Sequence, residues 1–364
     1  MIIESLKVER FRHLKPFRYT FDPHFNLIIG KNASGKTSFL EALFFLSHLK
    51  SFRTHNSAEI IESDSESFIL FAEIADLEEE QRSQLGIERT KKGFQIRKDF
   101  EPVQRRSELA KLLPILFIGP DTGQSLIDSP RYRRQFIDWG LFQSLPQYHG
   151  IWLRYERALK QRNAALKGNM PDGVLRGIEH EMAESGEILS EQRAAFLEEL
   201  TEKALPLLHA LLPELTEWEV RYQYGYSKGH FAEGMAESRP KDRIIGYTRS
   251  GPHRADFSIK VDGHTAHQYL SRGQIKLMTI AMMLAQITLY REKTGHSTIL
   301  LMDDITAELD QTKRGLLLTH LIAQKTQLFV TCLEPNEFPE LTEPSLKSSM
   351  QYYELTNGSA QKVV

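Results

Sequence analysis

Three apolar runs and several stretches of helical spacing organise this chain. Phe25-Asn26-Leu27-Ile28-Ile29, Thr298-Ile299-Leu300-Leu301-Met302 and Gln327-Leu328-Phe329-Val330-Thr331 are nearly continuous in apolar residues. Runs of this length read as strands of a sheet buried on both faces. Glu66 to Ile74 alternates instead, which predicts a strand with one buried face. Thr37 to Leu46 follows the first run directly and predicts an amphipathic helix, and Ile275 to Leu284 predicts a longer one. Between about 121 and 240 the pattern turns helical, as in Trp152 to Lys160 and Ile188 to Leu197. Gly168 and Pro171-Asp172-Gly173 break that stretch and predict a hairpin between helices. The pattern therefore predicts an α/β fold split in sequence. Residues 1–120 form a β-rich lobe around the first helix, 121–240 an inserted helical arm, and 241–364 a return to α/β. Sustained heptads, internal repeats and low-complexity tracts are not evident.

Composition narrows the setting. The chain has 364 residues, 41% of them hydrophobic, which is enough for two packed lobes. Its net charge of −2 does not announce a nucleic-acid partner, so any such contact must use local patches. The one cysteine, Cys332, rules out an intramolecular disulfide framework. The start of the chain lacks the plan of a signal peptide, and no stretch approaches eighteen uncharged apolar residues. These features lead to the expectation of a cytoplasmic protein without a membrane span.

The chemistry begins at Gly30-Lys31-Asn32-Ala33-Ser34-Gly35-Lys36-Thr37, which fits G-x-x-x-x-G-K-[ST] between a predicted strand and a predicted helix. A glycine-rich turn at that place closes backbone N–H groups around phosphates, and the helix N-terminus adds positive potential. Lys36 would neutralise the β- and γ-phosphates of ATP, and the Thr37 hydroxyl would ligate Mg²⁺. The alternative, a plain glycine turn, leaves Lys36-Thr37 unexplained. Asp303-Asp304 ends the Thr298–Met302 run, where a Mg²⁺·nucleotide complex requires a carboxylate. Asp303 is assigned to the metal, mainly through water, and Asp304 to orienting or deprotonating the attacking water.

Leu270-Ser271-Arg272-Gly273-Gln274 precedes the second long helical pattern and resembles the signature of cassette ATPases, usually LSGGQ, with Arg272 at the first glycine position. Ser271 is well placed as an N-cap, and its hydroxyl with the following N–H groups, Gly273 among them, forms another anion site. In cassette ATPases that site grips the γ-phosphate bound to the other subunit. Those enzymes mostly have Glu where Asp304 stands. Asp is one methylene shorter, so hydrolysis is expected to be slow. Ala307-Glu308-Leu309-Asp310 resembles the D-loop of the dimer seam. Lys36 to Ser271 is 271 − 36 = 235 positions, longer than in transporter cassettes and far shorter than in SMC proteins with their extended coiled coils.

Taken together these residues resemble the RecF family of SMC-like ATPases, and the likeness runs from end to end. Phe11-Arg12, Ser51-Phe52-Arg53-Thr54, Arg133-Arg134-x-Phe136-x-Asp138, Arg162-Asn163-Ala164-x-Leu166-Lys167 and Gly251-Pro252-His253-Arg254-x-Asp256 are all similar to family patterns. Asp128-Ser129-Pro130 stands where the family has Gly-x-Pro, and Ala307 where Ser is frequent. The resemblance implies a P-loop ABC/SMC-type head that binds ATP and dimerises around it. It further implies binding to DNA at gaps or single-strand to double-strand junctions, and loading of RecA together with RecR and RecO in gap repair, fork maintenance and the SOS response. By analogy with related heads, Arg12 reaches the nucleotide phosphates, and Thr331 occupies the place of a switch residue sensing γ-phosphate.

Other residues carry two readings each. Arg89 to Lys98 is locally basic around Phe94. Lys91, Lys92, Arg97 and Lys98 either contact DNA phosphates or guard a solvated edge hairpin. Arg131, Arg133 and Arg134 either bind DNA or pair with Asp128 and Asp138. Arg154, Arg157, Lys160 and Arg162 cluster on the arm and share a face only in part. His264 and His267 lack a nearby third ligand for zinc. His253 reads as a structural hydrogen-bonding residue. A transporter ATPase and an OLD-type nuclease are the competing classes. The long insert and the missing membrane-coupling segment argue against the first, and the helical, basic character of 121–240 argues against the second.

Overall fold

The computed structural model describes residues 1–304, 310–334 and 350–363. Met1–Thr122 and Tyr290–Val364 gather into one compact unit, and Gly123–Leu289 into a second. The second unit thus contains Ser271, which the division at 241 places with the head segment.

Two six-stranded sheets build the first unit. In one the order is β15-β14-β3-β13-β12-β8. Its strands are β3 (Phe25–Ile29), β8 (Ile115–Ile118), β12 (Ile299–Met302), β13 (Gln327–Cys332), β14 (Met350–Thr356) and β15 (Ser359–Val363). Every neighbouring pair runs parallel except the β14–β15 hairpin at the edge. β3, β12 and β13 are buried at every position, as their apolar runs predicted. The other sheet is antiparallel, in the order β2-β1-β4-β5-β6-β7. It comprises β1 (Ile2–Glu9), β2 (Phe17–Thr20), β4 (Ser67–Asp76), β5 (Gln81–Thr90), β6 (Phe94–Lys98) and β7 (Glu101–Pro102). The alternating segment is β4, which buries every second residue along most of its length. α2 (Arg106–Leu112) and α10 (Gln311–Ala323) complete this unit.

Helix α1 (Lys36–His48) sits in the core that both sheets share. Phe39, Leu40, Leu43 and Phe45 cluster with Ile3, Leu6 and Leu70 of the antiparallel sheet and with Ile28, Leu301 and Phe329 of the parallel one. The amphipathic expectation is corrected here: all ten residues from Ser38 to Ser47 are buried, because apolar surface meets the helix from two directions. The Gln327 side chain links the sheets. Its Oε1 accepts the Ile3 N–H at 2.9 Å, and its Nε2 donates to Ile3 O at 2.8 Å and to Asp22 O at 2.9 Å.

The second unit is mainly helical. Its helices are α3 (Thr122–Asp128), α4 (Pro130–Ser144), α5 (Tyr148–Lys167), α6 (Asp172–Leu211), α7 (Phe231–Ile245), the short α8 (Ala266–Tyr269) and α9 (Arg272–Thr294). The break at Gly168 to Gly173 separates α5 from α6, a helix of 40 residues and about 60 Å. A small antiparallel sheet, ordered β11-β10-β9, joins them through β9 (Trp218–Gln223), β10 (Asp256–Val261) and β11 (His264–Thr265). β9 lies inside the segment whose pattern reads as helical.

Ion pairs fill the interior of this unit. Arg162 is fully buried and bonds Glu179 at 3.0 Å, Asp242 at 2.8 Å and the Thr248 hydroxyl at 2.8 Å. It therefore shares no face with Arg154, Arg157 and Lys160, which are exposed. The position faces inward on α5, and a buried guanidinium needs carboxylate partners.

Candidate functional site

The loop between β3 and α1 is shaped by positions that only certain backbones reach. Gly35 has φ of 116° and Ala33 of 63°, both left-handed. A Cβ on Gly30 would lie 2.5 Å from the Leu355 carbonyl oxygen and from Ser34 Oγ, so only glycine fits. Lys36 turns its ammonium back over the loop and donates to Gly30 O and, at 3.1 Å, to Lys31 O. Lys31, Asn32 and Ala33 are exposed at the rim. The Ser34 hydroxyl is buried without a hydrogen-bond partner. The first N–H groups of α1 have no intrahelical acceptors, as at any helix start. A cationic side chain, unsatisfied donors and an orphaned hydroxyl around one turn make a site that fits a polyphosphate.

Asp303 stands beside this loop. The Thr37 hydroxyl donates to Asp303 Oδ2 at 2.9 Å. Asp303 is buried at the end of β12, and its N–H reaches Ile118 O at 2.8 Å. Its other oxygen accepts from the Thr331 hydroxyl at 2.7 Å. That same Thr331 oxygen accepts the Asp304 N–H at 3.0 Å. Asp304 itself is exposed and left-handed, with φ of 50°. A hydroxyl and a carboxylate converging next to a phosphate loop form a hard oxygen donor set, which fits Mg²⁺. Parallel pairing of β3 with β13 and of β13 with β12 puts all of these strand ends on one edge of the sheet.

Arg12 is engaged by side chains of its own unit. Its Nε and Nη2 donate to the two oxygens of Glu41 at 2.9 and 2.7 Å, and its Nη1 to Glu59 O at 3.0 Å. Glu41 is fully buried on α1, and a carboxylate there needs a cation. It also accepts from the Ser51 hydroxyl and faces Arg53 at 3.7 Å. Arg53 in turn reaches Ser38 Oγ at 3.4 Å. Glu41 escaped the sequence reading. A lone charged residue amid the apolar positions of α1 was the available signal.

The signature segment belongs to the second unit. Ser271 caps α9 as expected, with its Oγ accepting the Gln274 N–H at 3.3 Å, while Gln274 Oε1 accepts the Ser271 N–H at 2.9 Å. This reciprocal pair is a capping box. Gln274 also donates to Glu214 at 3.0 Å. Ser271 and Arg272 are exposed, and a Cβ on Gly273 would meet nothing within 4 Å. Of the D-loop-like segment, Ala307, Glu308 and Leu309 lie outside the described residues, and Asp310 caps α10 through the Lys313 N–H at 2.9 Å.

The basic hairpin is β5–β6, with Lys91 and Lys92 exposed in its turn. Arg97 is exposed on one face with Gln95, whereas Phe94, Ile96 and Lys98 alternate onto the other, where Phe94 and Ile96 pack on the core. Arg89 and Arg106 lie 4.5 and 4.8 Å over the Phe94 ring. Arg133 pairs with Asp256 at 2.6 Å rather than with Asp128 or Asp138, and Asp138 is held by Arg193 at 2.7 Å. His253 donates from Nε2 to Thr248 O at 3.1 Å and accepts the Tyr155 hydroxyl on Nδ1 at 2.6 Å. Burial above all lowers its pKa to about 4, so the ring is neutral. His264 stacks on Tyr269 and His267 lies 3.5 Å from Asp128. Among the described residues no group of three or more His, Cys, Asp or Glu is disposed to hold a metal. No helix among them is long and apolar enough to cross a membrane.

Known proteins resemble this chain along its length. The family described as RecF/RecN/SMC N terminal domain matches residues 2–352. A protein of Haemophilus influenzae named DNA replication and repair protein RecF is 39% identical over 344 residues, covering 94% of this chain and 95% of the relative. Namesakes from Shewanella piezotolerans and Mannheimia succiniciproducens are 35% identical over 98% and 100% of the chain and 99% and 100% of their own lengths. Among solved structures, the recombination mediator RecF with ATP, in the RecFOR pathway, superposes with a TM-score of 0.87 at 23% identity, covering 100% of this chain and 97% of its own. An SMC head bound to a winged-helix domain of ScpA gives 0.58 at 15% identity, with coverages of 100% and 97%.

Proposed function

This chain belongs to the RecF family, and we propose that it is an ATP-gated, DNA-binding switch of recombinational repair and replication-fork maintenance. The observation that carries the reading is the junction at Asp303, where Thr37 of the phosphate loop and Thr331 of β13 meet one buried carboxylate. Such a junction couples the loop that holds phosphates to the strand end that holds Asp304.

Each residue has a part in the proposal. Lys36 exchanges its hold on Gly30 and Lys31 carbonyls for phosphate oxygens, with Gly30 to Thr37 wrapped around them. Thr37, and Asp303 mainly through water, would hold Mg²⁺. Bound ATP with Mg²⁺ supplies the γ-phosphoryl group whose loss resets the switch. Asp304 orients the attacking water, and its short side chain keeps turnover slow, so hydrolysis serves as a timer. Ser271, with the Gly273 N–H, grips the γ-phosphate held by a second copy, which gives an ATP-dependent homodimer. Arg12 acts through Glu41 on α1 rather than on phosphate. Lys91, Lys92, Arg97 and Lys98 contribute DNA phosphate contacts, and the favoured DNA is gapped or junctional. RecR with RecO are the proposed partners in loading RecA, in the cytoplasm.

Calorimetry on Lys36→Met tests the site, since a charge facing desolvated phosphates contributes on the order of several kcal/mol to binding. ATP binding should fall at least about tenfold, with loss of ATP-dependent retention on gapped DNA. Unchanged ATP affinity would show that the loop is not a nucleotide site.

A further inference from the structure

Positive charge is left over on one face of the second unit. Inside the unit Arg162, Arg239, Arg243 and Arg249 face Glu179, Asp242 and Asp172, four cations against three carboxylates. Asp138 and Asp256 are already held by Arg193 and Arg133. Outside that network Arg157, Lys160 and Lys167 of α5 are exposed and form no ion pair among the described residues. Their spacing puts them along one side of the helix, where the half-buried Glu156 is the one carboxylate among them. Arg154, off that side, is engaged by Glu181 at 2.7 Å and Glu184 at 3.2 Å.

A second segment is fixed against this stripe. Asn163 Oδ1 accepts both the N–H and the hydroxyl of Thr248 at 2.8 Å, and a Cβ on Gly246 would lie 3.4 Å from Lys167 Cγ. The segment between them presents Tyr247, 42% exposed, with the Arg254 guanidinium 5.9 Å over its ring. His253 reports on the same surroundings. Burial lowers its pKa most, the hydrogen bond to Thr248 opposes that, and the charges of Arg254, Arg134 and Arg162 lower it further.

We propose that this face is a nucleic-acid contact, in which Arg157, Lys160 and Lys167 neutralise phosphates of one strand and Tyr247, backed by Arg254, stacks on an unpaired base. This rests on the DNA-binding reading above and adds the surface. Ten residues of helix from Arg157 to Lys167 span about 15 Å, or roughly four nucleotide steps along one strand. An aromatic ring beside a row of cations is the arrangement that binds unpaired bases without reading their sequence. A row one helix face wide suits a strand better than a membrane plane.

The test uses the full chain with a labelled gapped duplex and a fully paired duplex across a salt series. Three proteins join the wild type: Arg157→Ala/Lys160→Ala/Lys167→Ala, Tyr247→Ala and Tyr247→Phe. The triple variant should lose roughly 2.7 units from the slope of log affinity against log salt, about 0.9 for each phosphate contact. Tyr247→Ala should bind gapped DNA roughly tenfold more weakly while paired duplex changes less than about twofold, and Tyr247→Phe should recover most of the loss. Unaltered thermal midpoint and ATP affinity in the triple variant assign its loss to the surface. A wild-type slope in the triple variant overturns the proposal and leaves the DNA-binding reading intact. A wild type that binds neither DNA overturns both. Binding of phosphatidylserine vesicles that the triple variant loses, with an unchanged DNA slope, assigns the face to membranes and also overturns it.

Discussion

Thr331 holds Asp303 through one buried hydrogen bond of 2.7 Å, and the same hydroxyl accepts the N–H of Asp304 at 3.0 Å. A single oxygen on β13 thus sets a carboxylate and the backbone of its neighbour. Thr331→Val keeps the side-chain shape and leaves both groups unsatisfied, at a cost of about 1–3 kcal/mol. ATP turnover should fall at least roughly tenfold, because the left-handed Asp304 loses its tether. ATP affinity should change much less, and Thr331→Ser should restore the rate. Wild-type turnover in Thr331→Val would remove this residue from the machinery.

Asp303 and Asp304 end the same strand but differ in surroundings, one buried and bonded, the other exposed. Asp304→Asn should retain ATP binding and halt hydrolysis, so that the ATP-bound dimer accumulates. Asp303→Asn should instead weaken Mg²⁺·ATP. Single-turnover kinetics and calorimetry on both variants check the split, and a wild-type rate in Asp304→Asn would disprove its role.

Ser271 opens α9 with an exposed capping box. A shared-nucleotide dimer needs the γ-phosphate, so light scattering should show dimers with ATP and monomers with ADP or no nucleotide. Ser271→Arg puts bulk where that phosphate would sit. It should abolish dimerisation and leave ATP binding nearly intact, since Lys36 and Thr37 are untouched. Equal dimerisation of the wild type with ADP contradicts this arrangement.

Alternation on β6 refines the expectation for the basic hairpin. Reversing the charges of Lys91, Lys92, Arg97 and Lys98 together should weaken DNA binding and flatten its salt slope, by about 0.9 unit for each phosphate no longer neutralised. Most of that effect should come from Lys91, Lys92 and Arg97, because Lys98 alternates to the face of Phe94 and Ile96. Filter binding across a salt series measures it. An unaltered slope would make the hairpin a solvated edge.

Arg162 satisfies Glu179, Asp242 and Thr248 from a fully buried position. Arg162→Ala leaves two buried carboxylates short of a cation. Stability should drop by about 3–5 kcal/mol, measured by urea unfolding. A drop under about 1 kcal/mol would mean that Arg239 and Arg249 compensate.

The parallel sheet and the phosphate loop were legible because continuous apolar runs and a spaced glycine motif are local signals. Ser271 as an N-cap was legible for the same reason. What escaped depends on partners far away in the chain. Arg12 is claimed by Glu41, 29 positions on, and Arg133 by Asp256, 123 positions on. Arg162 looked like its exposed neighbours on α5 because the inward position emerges only once α7 and Thr248 close over it. β9 was hidden between helices because a short strand with half-buried residues carries little periodic signal.

The central position of β3 in its sheet has a consequence for the order in which the chain acquires structure. β3 pairs with β13 on one side and β14 on the other, and the last residue of β3 precedes the first of β13 by 327 − 29 = 298 positions. On a ribosome adding about 5–20 residues per second, β3 waits roughly 15–60 s for its first neighbour. Throughout that interval its apolar edges are open to other strands. The contiguous Gly123–Leu289 unit needs no such delay and completes its own packing first. A nascent chain stalled before Gln327 would therefore carry a finished arm and a phosphate loop whose β3 has no partner in the parallel sheet, a species suited to chaperone capture and unable to bind ATP.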